Sequence, residues 1–143
     1  MKSVPLEVPG YESRLVIKGR IDLGLAFCDG TFGLCDLKTA KLDESLVAKY
    51  WPQLSPYTLA LENPDNGRFG MAPISAMGLL VLEPGAMFQS GTDYGVTFSP
   101  RWTPAERDDD AAFQMLGDIL GILESPRVPE PGDKCAFCAL RNG

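Results

Sequence analysis

Two strand-like segments joined by a tight turn place the strongest constraint on the fold of this chain. In residues 13–27 (SRLVIKGRIDLGLAF) apolar side chains alternate with polar or small ones, the period-two pattern of a β-strand. Residues 28–30 read CDG, and Asp29-Gly30 is a strong hairpin signal. Residues 31–40 (TFGLCDLKTA) then read as the returning strand. The sequence therefore predicts an antiparallel pair over residues 13–40.

The turn brings two acids towards each other across this pair. A two-residue turn at 29–30 sets Asp22 opposite Leu37, whereas a three-residue loop at 28–30 sets Asp22 opposite Asp36. Like charges directly opposite each other destabilise a sheet, so two carboxylates in an apolar hairpin indicate a cation between them. An all-oxygen pair suits a hard ion such as Mg²⁺ or Mn²⁺, and the Leu37 carbonyl is a further candidate ligand.

Lys38 follows Asp36 by two residues, so in a strand both side chains share one face. Beside a divalent metal, a lysine there is a candidate to position or activate a water and to stabilise a negatively charged transition state. Magnesium with a lysine suits attack on a phosphodiester. The tripeptide alone is weak evidence, because an exposed strand face with an ordinary Asp–Lys pair has the same sequence.

The remainder of the chain mixes helical and strand patterns. Asp43 is a candidate N-cap for a helix that follows it, in which Pro52 and Pro56 predict a kink or two short helices. Residues 74–84 and 93–100 read as strands. This order predicts a mixed α/β (α+β) fold with a small mixed central β-sheet flanked by helices.

A second helix is predicted over residues 103–125. Thr103 would cap it, Pro104 would occupy its first position and Glu106 would complete a capping box. We expect one domain over residues 1–128, followed by an extended linker and cysteine-bearing tail at 129–143.

Composition limits the function classes. The 143 residues carry a net charge of −6 and contain no histidine, which excludes histidine triads, bases and metal ligands. An acidic chain argues against nucleic-acid binding by bulk charge. A local groove stays open, because six cations fall within residues 14–49: Arg14, Lys18, Arg20, Lys38, Lys41 and Lys49.

Other features are less specific. The acidic run at 106–110 is typical of a solvated loop or helix start. Four scattered aromatic residues are candidates to stack on bases, although core packing is the commoner use: Trp51, Phe69, Phe88 and Trp102. The chain has neither a membrane-length apolar run nor a signal-like start, so we expect a cytoplasmic protein.

Three sequence blocks in order carry a family resemblance. GRIDLGL, then CDLKTA, then QLSPY, within residues 19–57, resemble the RecB-like branch of the PD-(D/E)XK nuclease superfamily, which includes CRISPR adaptation and phage exonucleases. Such proteins have a G-x-x-D strand, a D-x-K strand and a Q-x-x-x-Y helix. The chain departs from the pattern in lacking a preceding helical segment and its histidine, for which Glu7 is a candidate substitute.

The resemblance implies a restriction-endonuclease-like core and a set of site residues. Asp22 and Asp36 would bind Mg²⁺ or Mn²⁺, Lys38 would be the catalytic lysine, and Gln53 with Tyr57 would form a helix pair near the site. The implied activity is a DNA nuclease acting from ends or on single strands, alone or with a protein partner. Two alternatives stay open: a non-catalytic DNA-binding or assembly module with a nuclease-like fold, and an unrelated small α/β domain.

The four cysteines fall into two groups. Cys28 and Cys35 lie in strand-like segments, where plain core thiols are expected. Cys135 and Cys138 form a C-x-x-C, and RecB-like nucleases use a similar tail in a [4Fe–4S] cluster. No cysteine follows Cys138, so the resemblance implies a truncated cluster motif. A cluster, a zinc site and free thiols all stay open, with free thiols favoured.

Overall fold

A computed structural model describes residues 1–43, 45–129 and 132 of the chain. In chain order the elements are β1 (Leu6–Glu7), β2 (Arg14–Leu15), β3 (Leu23–Ala26), β4 (Phe32–Thr39), α1 (Ser45–Glu62), β5 (Ile74–Ser90), β6 (Asp93–Ala105) and α2 (Asp109–Glu124). β1 and β2 form a small antiparallel sheet, while the other four strands form one mixed sheet in the order β3-β4-β5-β6. The predicted mixed α/β fold is confirmed.

The predicted hairpin is present as the antiparallel pair β3–β4, but it is shorter than expected. Ladder pairing runs from Leu23 opposite Cys35 to Ala26 opposite Phe32. Within residues 13–27, only β3 joins this sheet, and Arg14–Leu15 pairs with β1 instead. Between β2 and β3 the chain therefore leaves one sheet and enters the other.

A β4–α1–β5 crossover builds the main core. β4 and β5 are parallel, so a connection must pass over one face of the sheet, and α1 makes it. Leu34 from β4, Leu54 and Leu61 from α1, and Leu79 from β5 are all fully buried in this core. Since side chains alternate along a strand, the face of β4 that carries Leu34 also carries Asp36 and Lys38, and it faces α1.

Of the two forms expected at the prolines, the two short helices are wrong, because α1 is a single helix through both Pro52 and Pro56. Each proline removes one helical hydrogen bond. Packing compensates for that loss: Pro56 is buried, and Leu54 and Leu61 on either side of it are in the core.

The boundary of the second helix differs from the expectation. Thr103 and Pro104 belong to β6, paired with Leu79 and Gly78 of β5, so they do not cap a helix. α2 starts at Asp109, and the Asp108 carboxylate caps it by accepting a 2.9 Å bond from the Ala111 N–H. The acidic run at 106–110 therefore lies at a helix start, which is one of the two structures expected for it.

α2 packs on α1 through a second cluster. This cluster contains Leu59 of α1, the α2 residues Ala112, Leu116 and Leu120, and Leu6 with Val8 near β1. The layers are thus sheet, α1, and then α2 with the small β1–β2 sheet. No helix within the described ranges combines the length and apolarity that crossing a lipid bilayer requires.

β5 and β6 extend well beyond the expected strands at 74–84 and 93–100. Their pairing continues from Met77 opposite Ala105 to Ser90 opposite Asp93, with an irregularity between Pro84 and Met87. The far half of this pair is a ribbon whose side chains are mostly exposed.

Candidate metal centre

The hairpin loop determines how the two acids are placed. Phe27 N–H donates to the Thr31 carbonyl at 2.9 Å, which closes a loop of three residues at 28–30. Asp29 accepts bonds from the Thr31 N–H and hydroxyl, and Gly30 takes a left-handed φ of 85° that favours glycine. Continuing the ladder one step beyond Leu23 and Cys35 sets Asp22 opposite Asp36. Of the two registers left open, the three-residue loop is therefore the one adopted.

Asp22 lies just outside β3 and is tied to β4 by its side chain. Its Oδ2 atom accepts a 2.9 Å hydrogen bond from the Leu37 N–H. The N–H and C=O of one strand residue point to the same side of the strand, so the Leu37 carbonyl also faces the Asp22 side of β4. The carboxylate and the carbonyl are therefore brought to one edge of the hairpin.

Asp36 and Lys38 form a half-enclosed charge pair on the α1 face of β4. Asp36 is buried, with 7% of its surface exposed, and Lys38 Nζ lies 2.6 Å from its Oδ2. Within the described residues, Lys38 is the one side chain recorded in contact with Oδ2. We therefore treat the contact as an ion pair in which Asp36 retains unused acceptor capacity.

Tyr50 of α1 completes the surroundings of the lysine. Its ring centroid is 4.3 Å from Lys38 Nζ, which is cation–π distance. Burial alone would lower the pKa of Lys38, but the Asp36 carboxylate, with Tyr50 and Asp22 adding, outweighs it and raises that pKa. Lys38 is therefore charged at neutral pH.

Tyr50 is a site residue that the motif reasoning missed. It precedes Gln53 by three residues and Tyr57 by seven, so all three occupy one face of α1. That spacing is the signal that could have identified it. Gln53 is half-buried on this face. Tyr57 packs against the backbone of Gly19, where an added Cβ would lie 2.5 Å from the tyrosine oxygen.

Other candidate residues lie elsewhere. Glu7 pairs with Arg14 at 2.6 Å in the β1–β2 sheet, so its carboxylate already has a cationic partner. Cys35 is buried, as expected for a core thiol, and burial raises its pKa. Cys28 is exposed in the hairpin loop, so the expectation of a core thiol is wrong there. Cys135 and Cys138 lie outside the described residues.

The chemistry of the donor set fits a hard divalent cation. Asp22, Asp36 and the Leu37 carbonyl offer oxygen only, and Mg²⁺ in proteins is held by one or two carboxylates with waters and substrate phosphates completing its octahedron. Within the described ranges, no group of three or more acidic, cysteine or histidine side chains is assembled for a metal. Any ion here would therefore depend on water or substrate for its remaining ligands.

Comparisons with known proteins give one match. A family model described as the PD-(D/E)XK nuclease superfamily matches residues 1–142. No curated protein and no solved structure matches the chain. Members of this superfamily generally hydrolyse phosphodiester bonds and typically use divalent metals such as Mg²⁺. Because the match covers nearly the whole chain, this protein belongs to the PD-(D/E)XK nuclease superfamily.

Proposed function

We propose that this protein is a Mg²⁺- or Mn²⁺-dependent deoxyribonuclease of the RecB-like type, with Asp22, Asp36 and Lys38 at its centre. The buried Asp36 carboxylate carries the proposal. Lys38 offsets one of the two carboxylates that the register sets opposite each other, and the second negative charge still calls for a counterion. A divalent cation bound between Asp22 and Asp36 supplies one.

The residues around that position fit distinct roles. Asp22 and Asp36 would hold the ion, with the Leu37 carbonyl as a further ligand. When bound, the ion supplies Lewis-acid stabilisation of negative charge on the phosphate being cleaved. The Lys38 ammonium lies 2.6 Å from Asp36 on the same face of β4, so its proposed role is that of a charged donor to the phosphate.

The helix α1 lines the same face of the sheet. Tyr50 holds the Lys38 ammonium over its ring. Gln53 and Tyr57, by their likeness to the Q-x-x-x-Y helix, are proposed to contact the substrate strand or the lysine. The packing of Tyr57 against Gly19 supports this, because it places the tyrosine beside the G-R-I-D segment that leads to Asp22.

DNA acted on from its ends or as a single strand is the proposed substrate, following the RecB-like motif order. The test is cleavage of labelled single-stranded and duplex DNA with Mn²⁺. Asp36→Asn and Lys38→Ala are each expected to lower the rate by about 10²-fold or more, the usual cost of removing one group that stabilises transition-state charge. Asp93→Asn, the same change at an exposed acid of β6, is the control.

The proposal fails if the protein cuts neither substrate, or if both site variants cut at the control's rate. Far-UV circular dichroism of each variant verifies that lost cleavage does not come from unfolding.

A second candidate is the non-catalytic module. The observation in its favour is that Lys38 already neutralises Asp36, with its Nζ 2.6 Å from the acid. Calorimetric titration with Mn²⁺ separates the two candidates. A nuclease site binds the ion in a saturable way that Asp36→Asn removes, whereas a degenerate site gives the same trace for both proteins.

A further inference from the structure

A second feature of the surface is an open cavity of about 750 Å³ that is lined in part by residues just before Asp22 in the chain. Its walls come from the amino-terminal segment, the stretch just before Asp22, and the loop after α1. Six lining residues matter here: Lys2, Lys18, Gly19, Arg20, Arg68 and Phe69.

The walls of this cavity are fixed to one another. Lys2 pairs with Lys18 through an isolated β-bridge, and its carbonyl accepts a 2.9 Å bond from the Asp65 N–H. Ser3, fully buried, accepts from the Ile17 N–H at 3.0 Å and bridges to Pro64. The backbone therefore holds the three segments in one frame.

The cavity concentrates positive charge on an acidic chain. It holds four of the 13 lysines and arginines, although the net charge is −6. Lys2 is paired with Asp65 at 2.5 Å, but no carboxylate of the described residues forms an ion pair with Lys18, Arg20 or Arg68, which are all exposed. Three cations converging on one cavity indicate a ligand with several negative charges.

An exposed aromatic ring lies at the same place. Phe69 lines the cavity and keeps 62% of its surface exposed. A large apolar ring left in solvent beside unpaired cations is the combination that single-stranded nucleic acids use, with phosphates on the cations and a base stacked on the ring.

Gly19 connects the cavity to the segment that carries Asp22. This residue lines the cavity and also packs against Tyr57, and Asp22 follows it by three residues. We propose that the cavity binds the phosphates of a single DNA strand next to the bond to be cut, with Phe69 stacking on a base. The identification of the strand as substrate rests on the proposed function, but strand binding itself requires no cleavage.

The test measures binding of a labelled 20-nucleotide oligothymidylate by fluorescence anisotropy, in EDTA so that no metal is present. Lys18→Ala and Arg68→Ala are each expected to weaken binding by about threefold to tenfold and to reduce the slope of log affinity against log salt by about one. Arg127→Ala, at an exposed arginine outside the cavity, is the matched control and should change neither quantity.

Phe69 has its own control. Phe69→Ala is expected to weaken binding by about fivefold or more while leaving the salt slope unchanged, since it removes stacking and no charge. Phe88→Ala removes a ring that is 53% exposed on the β5–β6 ribbon and should bind like the unmodified protein.

The proposal is overturned if both cation variants match Arg127→Ala in affinity and salt slope. It is also overturned if a single nucleotide, dTMP, competes at the strand's own affinity, because the cavity then recognises one phosphate group and not a strand. Failure of the proposed function is distinguishable: it appears as absence of cleavage with Mn²⁺ while strand binding in EDTA still depends on Lys18 and Arg68.

Discussion

Removing Arg107 is expected to destabilise the fold strongly, because this side chain joins three elements. Its guanidinium donates to both carboxylate oxygens of Glu62 at the end of α1, at 2.9 and 2.7 Å, and to both of Asp109 in α2, at 2.8 Å each. It also donates to the Ile74 carbonyl at the start of β5, at 2.9 Å. Glu62 in turn accepts from the Ile74 N–H at 2.7 Å.

The magnitude follows from burial and charge. Charge-assisted hydrogen bonds each contribute about 1.5–3 kcal/mol, but bonds that share one group do not add. The side chains of Arg107 and Glu62 keep 29% and 18% of their surface exposed, so water screens part of the interaction. For Arg107→Met we expect a loss of about 2–3 kcal/mol in the free energy of unfolding, below the 3–5 kcal/mol typical of a fully buried pair that loses one partner.

Urea denaturation followed by circular dichroism measures this loss. With a denaturant slope of about 2 kcal/mol per molar urea, the midpoint should fall by roughly 1–1.5 M. Arg127→Met, at an exposed arginine, is the control. Glu62→Gln completes a double-mutant cycle, in which the double variant should be less destabilised than the two single changes added. A midpoint for Arg107→Met within about 0.2 M of the control would refute the reasoning, because the expected 2–3 kcal/mol corresponds to a much larger shift.

Three other outcomes follow from the same structure. Burial would raise the pKa of Glu62 but Arg107 lowers it overall, and the Arg107 hydrogen bond lowers the pKa of Asp109. Because the pKa values of Glu62 and Asp109 are lower in the folded protein than in the unfolded one, this stabilisation is present above about pH 5 and is lost as the pH falls towards about 3. Urea midpoints measured over that range should therefore fall less steeply in Arg107→Met than in the unmodified protein. Gly78→Ala places a methyl 2.5 Å from the Thr103 carbonyl oxygen and 2.7 Å from the Trp102 ring, and should cost about 1–3 kcal/mol in urea denaturation; an unchanged urea midpoint would contradict this close approach. If the proposed nuclease is active, Tyr50→Phe should keep its cleavage rate within about twofold, while Tyr50→Ala should lower it about fivefold by removing the ring beneath Lys38; equal rates for both would contradict a role for the cation–π contact.

The hairpin was predictable from sequence because the residues that shape its loop are neighbours in the chain. Asp29 and Gly30 meet the conformational needs of the loop themselves, one by its side chain and one by its positive φ. Alternation then decides which side chains share a face. The choice between two registers depended on a loop length that the sequence left open, and only the Phe27–Thr31 bond decides it.

The start of α2 was not predictable by the same means, because strand pairing overrides the local capping signal at Thr103. Thr103 with Glu106 has the pattern of a capping box, yet Asp108 caps the helix five residues later. Strand pairing with β5 keeps Thr103 out of the helix: Trp102 pairs with Leu80 and covers Gly78, and Thr103 pairs with Leu79. A long-range contact thus overrides a local signal.

Asp22 serves both the candidate metal site and the hairpin, so an alanine substitution there changes both at once. The ladder of β3 begins only at Leu23, so the Leu37 N–H has no backbone partner opposite it and bonds to the Asp22 carboxylate instead. Asp22→Ala removes a candidate metal ligand and also the acceptor of that N–H; because the bond is exposed and water can replace the acceptor, the expected cost is about 0.5–1 kcal/mol. Asp22→Asn keeps an oxygen that can accept the bond while removing the negative charge. If Asp22 holds a cation, Asp22→Asn should lose Mn²⁺ binding at nearly unchanged stability, whereas Asp22→Ala should lose both; equal Mn²⁺ affinity in Asp22→Asn and the unmodified protein would show that the carboxylate serves the hairpin alone.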